Sequence, residues 1–409
     1  MAPTPRRSEL HRSAFYRSAA HTCALILLSA STLLLTACGN FFSCEGKASC
    51  PCASGVTSTT TNPCGGGGGS SSVDYAYVAN SATNTTTVDG YNLGSGTLAT
   101  ATSAPYSFGY SPSSLVVTPA NTYLYAATDS ALNSGSGYVY GYSIGTGGAL
   151  SILSSGEPLV SESVSSLAVS PDGKWLFCLD TNSSTLEEYS IDTSTGALTF
   201  AQTYGVTGAT NGVITPAQIT VAPSGDFVVL ALGTGGAETF SLNETSGVAT
   251  FQTLLSPSNA STGIYAAAVD ANNYLYLAGT AGLSVYSTTT AGVPTLLKTY
   301  STGSGAHSVV VNTAATYVSV GNQSDSTISA FSIGTNAALT AVSGSPFTAP
   351  TTVTALAFDS TMAYLIASGY EASTGIELYT IGTTGALTSA GTAASGTSTT
   401  IPEAIATTH

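Results

Sequence analysis

The chain has 409 residues, with 7 Lys and Arg against 21 Asp and Glu, a formal net charge of −14 and only 7% charged residues, where an average globular protein carries about 25%. With 43% hydrophobic residues it has the apolar material to bury a core, which excludes a disordered chain. No Lys/Arg cluster lies beyond the N-terminus, so the chain offers no surface for nucleic-acid phosphates, and no nucleic-acid partner is expected.

Residues 1–37 read as an export signal. Arg6, Arg7, Arg12 and Arg17 precede an apolar run from Ala24 to Leu35. That run is too short to span a bilayer and has the length of a signal-peptide apolar region. The next residues, Leu35-Thr36-Ala37-Cys38, resemble a bacterial lipobox. The resemblance implies cleavage before Cys38, a lipid on its sulfur, and an exported protein held at the cell envelope. Gly39 after the cysteine implies the outer membrane or cell surface rather than the inner membrane. Cleavage would leave twenty acids against Lys47, Lys174 and Lys298, with no arginine. Such a chain is not drawn to anionic lipid headgroups, so the anchor at Cys38 would be its link to the membrane.

Residues 38–72 form a tether. Cys44, Cys50, Cys52 and Cys64 crowd into it. In an oxidising compartment four closely spaced cysteines mean two disulfides, in any of three pairings. One residue between Cys50 and Cys52, with no His nearby, suits zinc poorly. The run Gly65–Ser72 is a flexible linker. Cys178 stands alone in an apolar strand and reads as a buried small hydrophobe.

Residues 73–409 are one repeat used seven times. An apolar run ending in a turn recurs at Ser114–Pro119, Ser166–Pro171, Gln218–Pro223, Ala266–Ala271, Ser308–Thr313, Ala355–Ser360 and Ala404–His409, with starts 42 to 52 residues apart. An aromatic-rich run follows, at Tyr75–Asn80, Tyr123–Thr128, Trp175–Asp180, Phe227–Leu232, Tyr274–Gly279, Tyr317–Asn322 and Tyr364–Gly369. A third run ends near Tyr-Ser-Ile, as at Tyr142–Ile144 and Tyr189–Ile191, and a fourth begins Ala-Leu, as at Ala149, Ala197 and Ala386. Beta-branched and aromatic runs broken by Gly, Ser, Asn and Asp are strand and hairpin signals, and no sustained helical period interrupts them. Four antiparallel strands per 40–50-residue repeat predict an all-β, seven-bladed β-propeller. The last copy holds only a first strand and the earliest lacks one, so pairing the N- and C-terminal strands closes the ring.

The aromatic run with its Ser/Thr-rich turn, and Ser170-Pro171-Asp172-Gly173, resemble the YVTN-type and lactonase-family propellers, which include the 6-phosphogluconolactonases. The resemblance covers about residues 73–409. In that family a Gly-x-Gly-Pro-Arg-His stretch enters one inner strand and Asn-Glu ends the next. Here the matching residues are Gly303-Ser304-Gly305-Ala306-His307 and Asn322-Gln323. The resemblance thus nominates His307, Asp180 and Gln323 as catalytic candidates, with no counterpart of the arginine and with Gln323 where a glutamate is expected. Ser165 or a neighbour replaces a family histidine. Asp129 follows a strand equivalent to that of Asp180 and joins the residues expected at the channel mouth.

Lactone opening needs a base for water and a donor for the oxyanion, and a phosphorylated substrate needs fixed cations. Lys174 and Lys298 read as surface residues. Gly141-Tyr142-Ser143-Ile144-Gly145 matches a nucleophile-elbow pattern, but Ser143 recurs as Ser190, Ser241, Ser287 and Ser332 and is a repeat residue. No cofactor or metal signature is present. The sequence therefore suggests a lipid-anchored binding or scaffold propeller, with an envelope protein or glycan as ligand. The alternative is a lactone hydrolase acting on a neutral sugar lactone.

Overall fold

The aromatic-rich runs become the second strands of four-stranded antiparallel sheets because they are apolar on both faces. In Tyr123–Thr128 every residue is buried, and in Trp175–Asp180 all but the first are. The fourth strands face solvent: Leu198–Gly205 and Pro294–Tyr300 are mostly exposed. Burial thus grades outward across each sheet, and the graded composition of the repeat follows from it.

The computed structural model describes residues 74–409 apart from 83–84, 111, 130–136, 211, 258–261, 350–351, 370–374 and 394–403. The signal, Cys38 and the cysteines at 44, 50, 52 and 64 lie outside the described residues. Seven antiparallel sheets form, in each of which the four main strands pair in sequence order. Blade one holds Ser114–Val117, Tyr123–Thr128, Tyr138–Ile144 and Leu150–Ile152. Blades two to six begin with Val164–Val169, Gln218–Val221, Ile264–Val269, Ala306–Val311 and Val353–Phe358. The seventh joins both termini: Ile405–Thr407 pairs antiparallel with Tyr75–Ala82, Ala76 opposite Thr407 and Val78 opposite Ile405. The Thr408 amide donates to the Tyr75 carbonyl at 2.9 Å, and the Tyr75 amide to the Thr408 hydroxyl at 2.9 Å. The expected closure is present.

Neighbouring blades are stapled by polar side chains of the repeat. The Tyr77 and Tyr125 hydroxyls donate to the carbonyls of Gly148 and Gly196 in the next blade's outer hairpin, both at 2.9 Å. The Trp175 indole donates to the Glu244 carbonyl at 2.7 Å. A buried ring carrying one polar atom must find such a partner, which explains why the repeat uses Tyr and Trp here. On the inner side, Ser114 Oγ accepts the Leu167 amide, Ser166 Oγ the Ile219 amide, and Gln218 Oε1 the Ala267 amide, at 2.8 to 3.1 Å.

The outer strands depart from the repeat. In blade seven the edge is split into Ala99–Thr100 and Tyr106–Ser107, and in blade five into Leu339–Ala341 and Phe347–Thr348. In blade one it stops at Ile152. Pro105, Pro346 and Pro158 fall in or beside these breaks, and a residue without an amide hydrogen cannot continue a ladder.

Candidate functional site

The seven first strands surround the axis of the ring, and a cavity of about 490 Å³ opens where they begin. Equivalent positions supply its rim: Ser113, Ser165, Ala217, Tyr265, His307 and Thr354. Most are small, so the two large rings in blades four and five define one wall. The imidazole of His307 stacks on the Tyr265 ring with centroids 5.2 Å apart and planes 10° apart. Burial pushes the imidazole below its ordinary titration range, partly offset by a hydrogen bond to its own backbone. His307 is therefore neutral at pH 7 and able to accept a proton.

Asp129 lines the same cavity from blade one, on the opposite side of the ring. Ser163 Oγ donates to its carboxylate at 3.2 Å. Three rim hydroxyls already spend their hydrogens on backbone carbonyls: Ser113 on Val164 at 2.6 Å, Ser165 on Leu179 at 3.3 Å and Thr354 on Ser368 at 3.1 Å. Each keeps its acceptor lone pairs. The cavity wall is thus rich in acceptors.

Neither lysine of the propeller reaches this cavity. Lys174 is exposed and pairs with Asp172 at 2.9 Å. Lys298 lies in the outer strand of blade four over the Tyr300 ring, 4.6 Å from its centroid. Both occupy the surface positions expected of them.

The structure separates the remaining candidates from His307. Asp180 is buried in blade two, where Oδ1 accepts the amides of Asn182 at 2.6 Å and Ser183 at 3.1 Å, capping its own hairpin. Gln323 begins the corresponding hairpin of blade five, its amide donating to the Gly305 carbonyl at 2.8 Å. Neither is among the residues lining the cavity. His307 and Asp129 both line it, from opposite sides of the ring, and Ser165 lies on its rim.

A family model for the lactonase seven-bladed β-propeller matches residues 75–401. The chain belongs to the lactonase family. The domain resembles a candidate 6-phosphogluconolactonase from Bacteroides uniformis at 16% identity, with a TM-score of 0.63 over 77% of this chain and 95% of that one. It also resembles the periplasmic gluconolactonase of Pseudomonas aeruginosa at 12% identity, with a TM-score of 0.65 over 81% and 99%. At these identities the likeness speaks for the fold alone. No curated protein matches the sequence.

Two features of this lactonase-family domain escaped the sequence reading. Glu187, Glu238 and Glu377 occupy one repeat position, two residues before Tyr189, Phe240 and Tyr379, and all three are buried. Tyr189 donates to Glu187 at 2.7 Å, and Tyr379 donates to Glu377. The recurrence of Glu-x-aromatic was the available signal. Beside Glu187, the carboxylates of Glu162 and Asp180 approach so that one oxygen of each lies within 4.8 Å of the others, a donor set of the kind that suits a hard cation. Burial, with Glu187 and Asp180 nearby, holds the Glu162 carboxyl above the usual range.

The second feature is Glu188, buried between blades two and three. Tyr204 donates to Oε2 at 2.7 Å, while Oε1 has no partner among the described residues. Gly247 closes the space above it: φ is +76°, and a Cβ there would lie 1.9 Å from Oε1. Burial pushes this carboxyl up to about 7, against a pull downward from the Tyr204 hydroxyl. Because its pKa is raised on folding, its contribution to stability is complete below the unfolded value near 4.5 and is lost as pH rises through about 7. Glu188→Gln is therefore expected to match wild type in denaturant midpoint near pH 4.5 and to exceed it by pH 8. A difference independent of pH in urea titrations would contradict this account.

Proposed function

We propose that the propeller is a lactone hydrolase acting on an uncharged, polyhydroxylated lactone, with His307 as the base. The observation that carries the reading is a neutral imidazole on the wall of an axial cavity that neither Lys174 nor Lys298 approaches. His307 takes a proton from water as its oxygen attacks the lactone carbonyl, and returns it as the ring oxygen leaves. The acceptors of Ser113, Ser165, Thr354 and Asp129 suit the hydroxyl hydrogens of a sugar lactone. A phosphate offers them only acceptors and negative charge, without a cation to answer it.

Family membership and the lactonase names of the structural neighbours support hydrolysis over a purely binding role. The lipobox-like run at Cys38 supports an enzyme held at the cell envelope, with the lipid as its membrane partner. In an assay of acid release, the full chain is expected to open an unphosphorylated aldonolactone at least about tenfold more efficiently than its 6-phosphate, from the cost of like charges facing each other. Failure to exceed the uncatalysed rate on any lactone, or a preference for the phosphate, would overturn the reading.

A further inference from the structure

We propose that Tyr265 is a positioning residue for His307, its ring fixing the plane in which the imidazole meets water. The inference rests on the proposed lactonase reading but draws on geometry of its own. Tyr265 and His307 occupy the same repeat position in adjacent blades, at the entry to the first strands Ile264–Val269 and Ala306–Val311. The other equivalent residues, Ser113, Ser165, Ala217 and Thr354, are too small to touch a neighbour's ring. Only at this pair of rim positions does the repeat place one aromatic plane on another, nearly parallel at 10°.

The local chain is shaped to hold that arrangement. At Gly263 an added Cβ would lie 2.6 Å from both Cζ and Oη of Tyr265. The phenol therefore folds back over its own strand, with its hydroxyl end at Gly263 and its face against the imidazole. The hydroxyl is directed at the backbone, so the ring is the working part. An imidazole with one face covered loses rotational freedom, and it keeps its edge for the cavity. Holding a base within a near-attack geometry contributes much of catalysis, and a displacement of about 1 Å costs about 100-fold. Asp129 lines the cavity across from the pair, and Asp325 accepts the amide of Ser304, in the loop before His307, at 2.5 Å.

The test uses Tyr265→Phe, Tyr265→Leu and Gly263→Val in the full chain, assayed on an unphosphorylated aldonolactone and titrated by NMR at the His307 ring. Tyr265→Phe is expected to keep both kcat and the His307 titration of wild type. Tyr265→Leu keeps an apolar side chain but removes the ring that covers the imidazole; its kcat is expected to fall about 10- to 100-fold, with KM changed less than about threefold. Its His307 titration should move up toward the ordinary imidazole range as water reaches the uncovered face. Gly263→Val should reproduce both changes by displacing the ring. Wild-type kcat and titration in Tyr265→Leu would overturn the inference, as would equal loss in Tyr265→Phe, which would make the hydroxyl the working group. If wild type itself opens no lactone, the proposed function fails, and the titrations still decide whether Tyr265 covers His307.

Discussion

Replacing His307 with alanine is expected to lower kcat/KM for lactone opening by about 10²- to 10⁴-fold, the usual contribution of a positioned general base. Among the described residues His307 is the one imidazole lining the cavity, and the acids Asp129 and Asp180 are hydrogen-bonded to Ser163 and to hairpin amides. The pH dependence carries the same information. Because burial depresses the imidazole, the wild-type rate should rise through a value below the ordinary histidine range and be level by neutral pH. In His307→Ala that acid limb should vanish. Stability obeys the same sign. The folded imidazole binds its proton less readily than the unfolded one, so the fold loses stability as pH falls below the unfolded histidine value near 6.5. His307→Ala should remove this acid sensitivity while folding normally. A variant retaining the wild-type rate would show that the base lies elsewhere.

Glu238→Ala is expected to destabilise the propeller by about 3–5 kcal/mol, read as a fall in denaturant midpoint with an unchanged slope. Glu238 is fully buried, and Oε1 alone accepts the Thr207 amide at 2.9 Å, the Thr207 hydroxyl at 2.7 Å and the Gly208 amide at 2.8 Å. These donors belong to the crossover from blade two to blade three. Removing the carboxylate strands them in a dry site, where each unmade bond costs about 1–3 kcal/mol. Glu238→Gln keeps an acceptor oxygen in place and should lose distinctly less. Loss below about 1 kcal/mol in Glu238→Ala would mean the crossover finds other partners or admits water.

Glu238 also shows why part of the molecule was hidden from its sequence. A glutamate between Ala237 and Thr239 in an alternating strand reads as a solvent-facing residue, because period-two patterning distinguishes faces but not what later covers them. The crossover at 207–208 covers this one. The broken outer strands were missed for a related reason. Ala-Leu opens the fourth run at Ala149, Ala197, Ala338 and Ala386, but in blades one, five and seven the ladder stops after Ile152, Ala341 and Thr100, short of the prolines at 158, 346 and 105, where no repeat average would place an end.

His307 was legible because a short stretch, Gly303 to His307, carries the family resemblance locally. Its environment was not. Asp180 and Gln323 share strand-end positions with plausible site residues, yet Asp180 caps its own hairpin and Gln323 does not line the cavity. Asp129, expected at the channel mouth from its repeat position, does line the cavity, whereas Tyr265 comes from another blade and carries no motif.

By itself the sequence determined the ring. Each blade buries the same positions for the same reason, so seven copies of one burial pattern, with complementary partial copies at the ends, leave a closed seven-bladed propeller as the arrangement that satisfies every edge. Only the tertiary structure decided the site. Residues at one repeat position are equivalent within their own strands, and they become unlike when ring closure sets them side by side or face to face around an axis. A low content of charge was visible from composition. That Lys174 and Lys298 stay on the outer surface, while a neutral imidazole, a tyrosine ring and one carboxylate line the central cavity, depends on contacts between blades far apart in the chain.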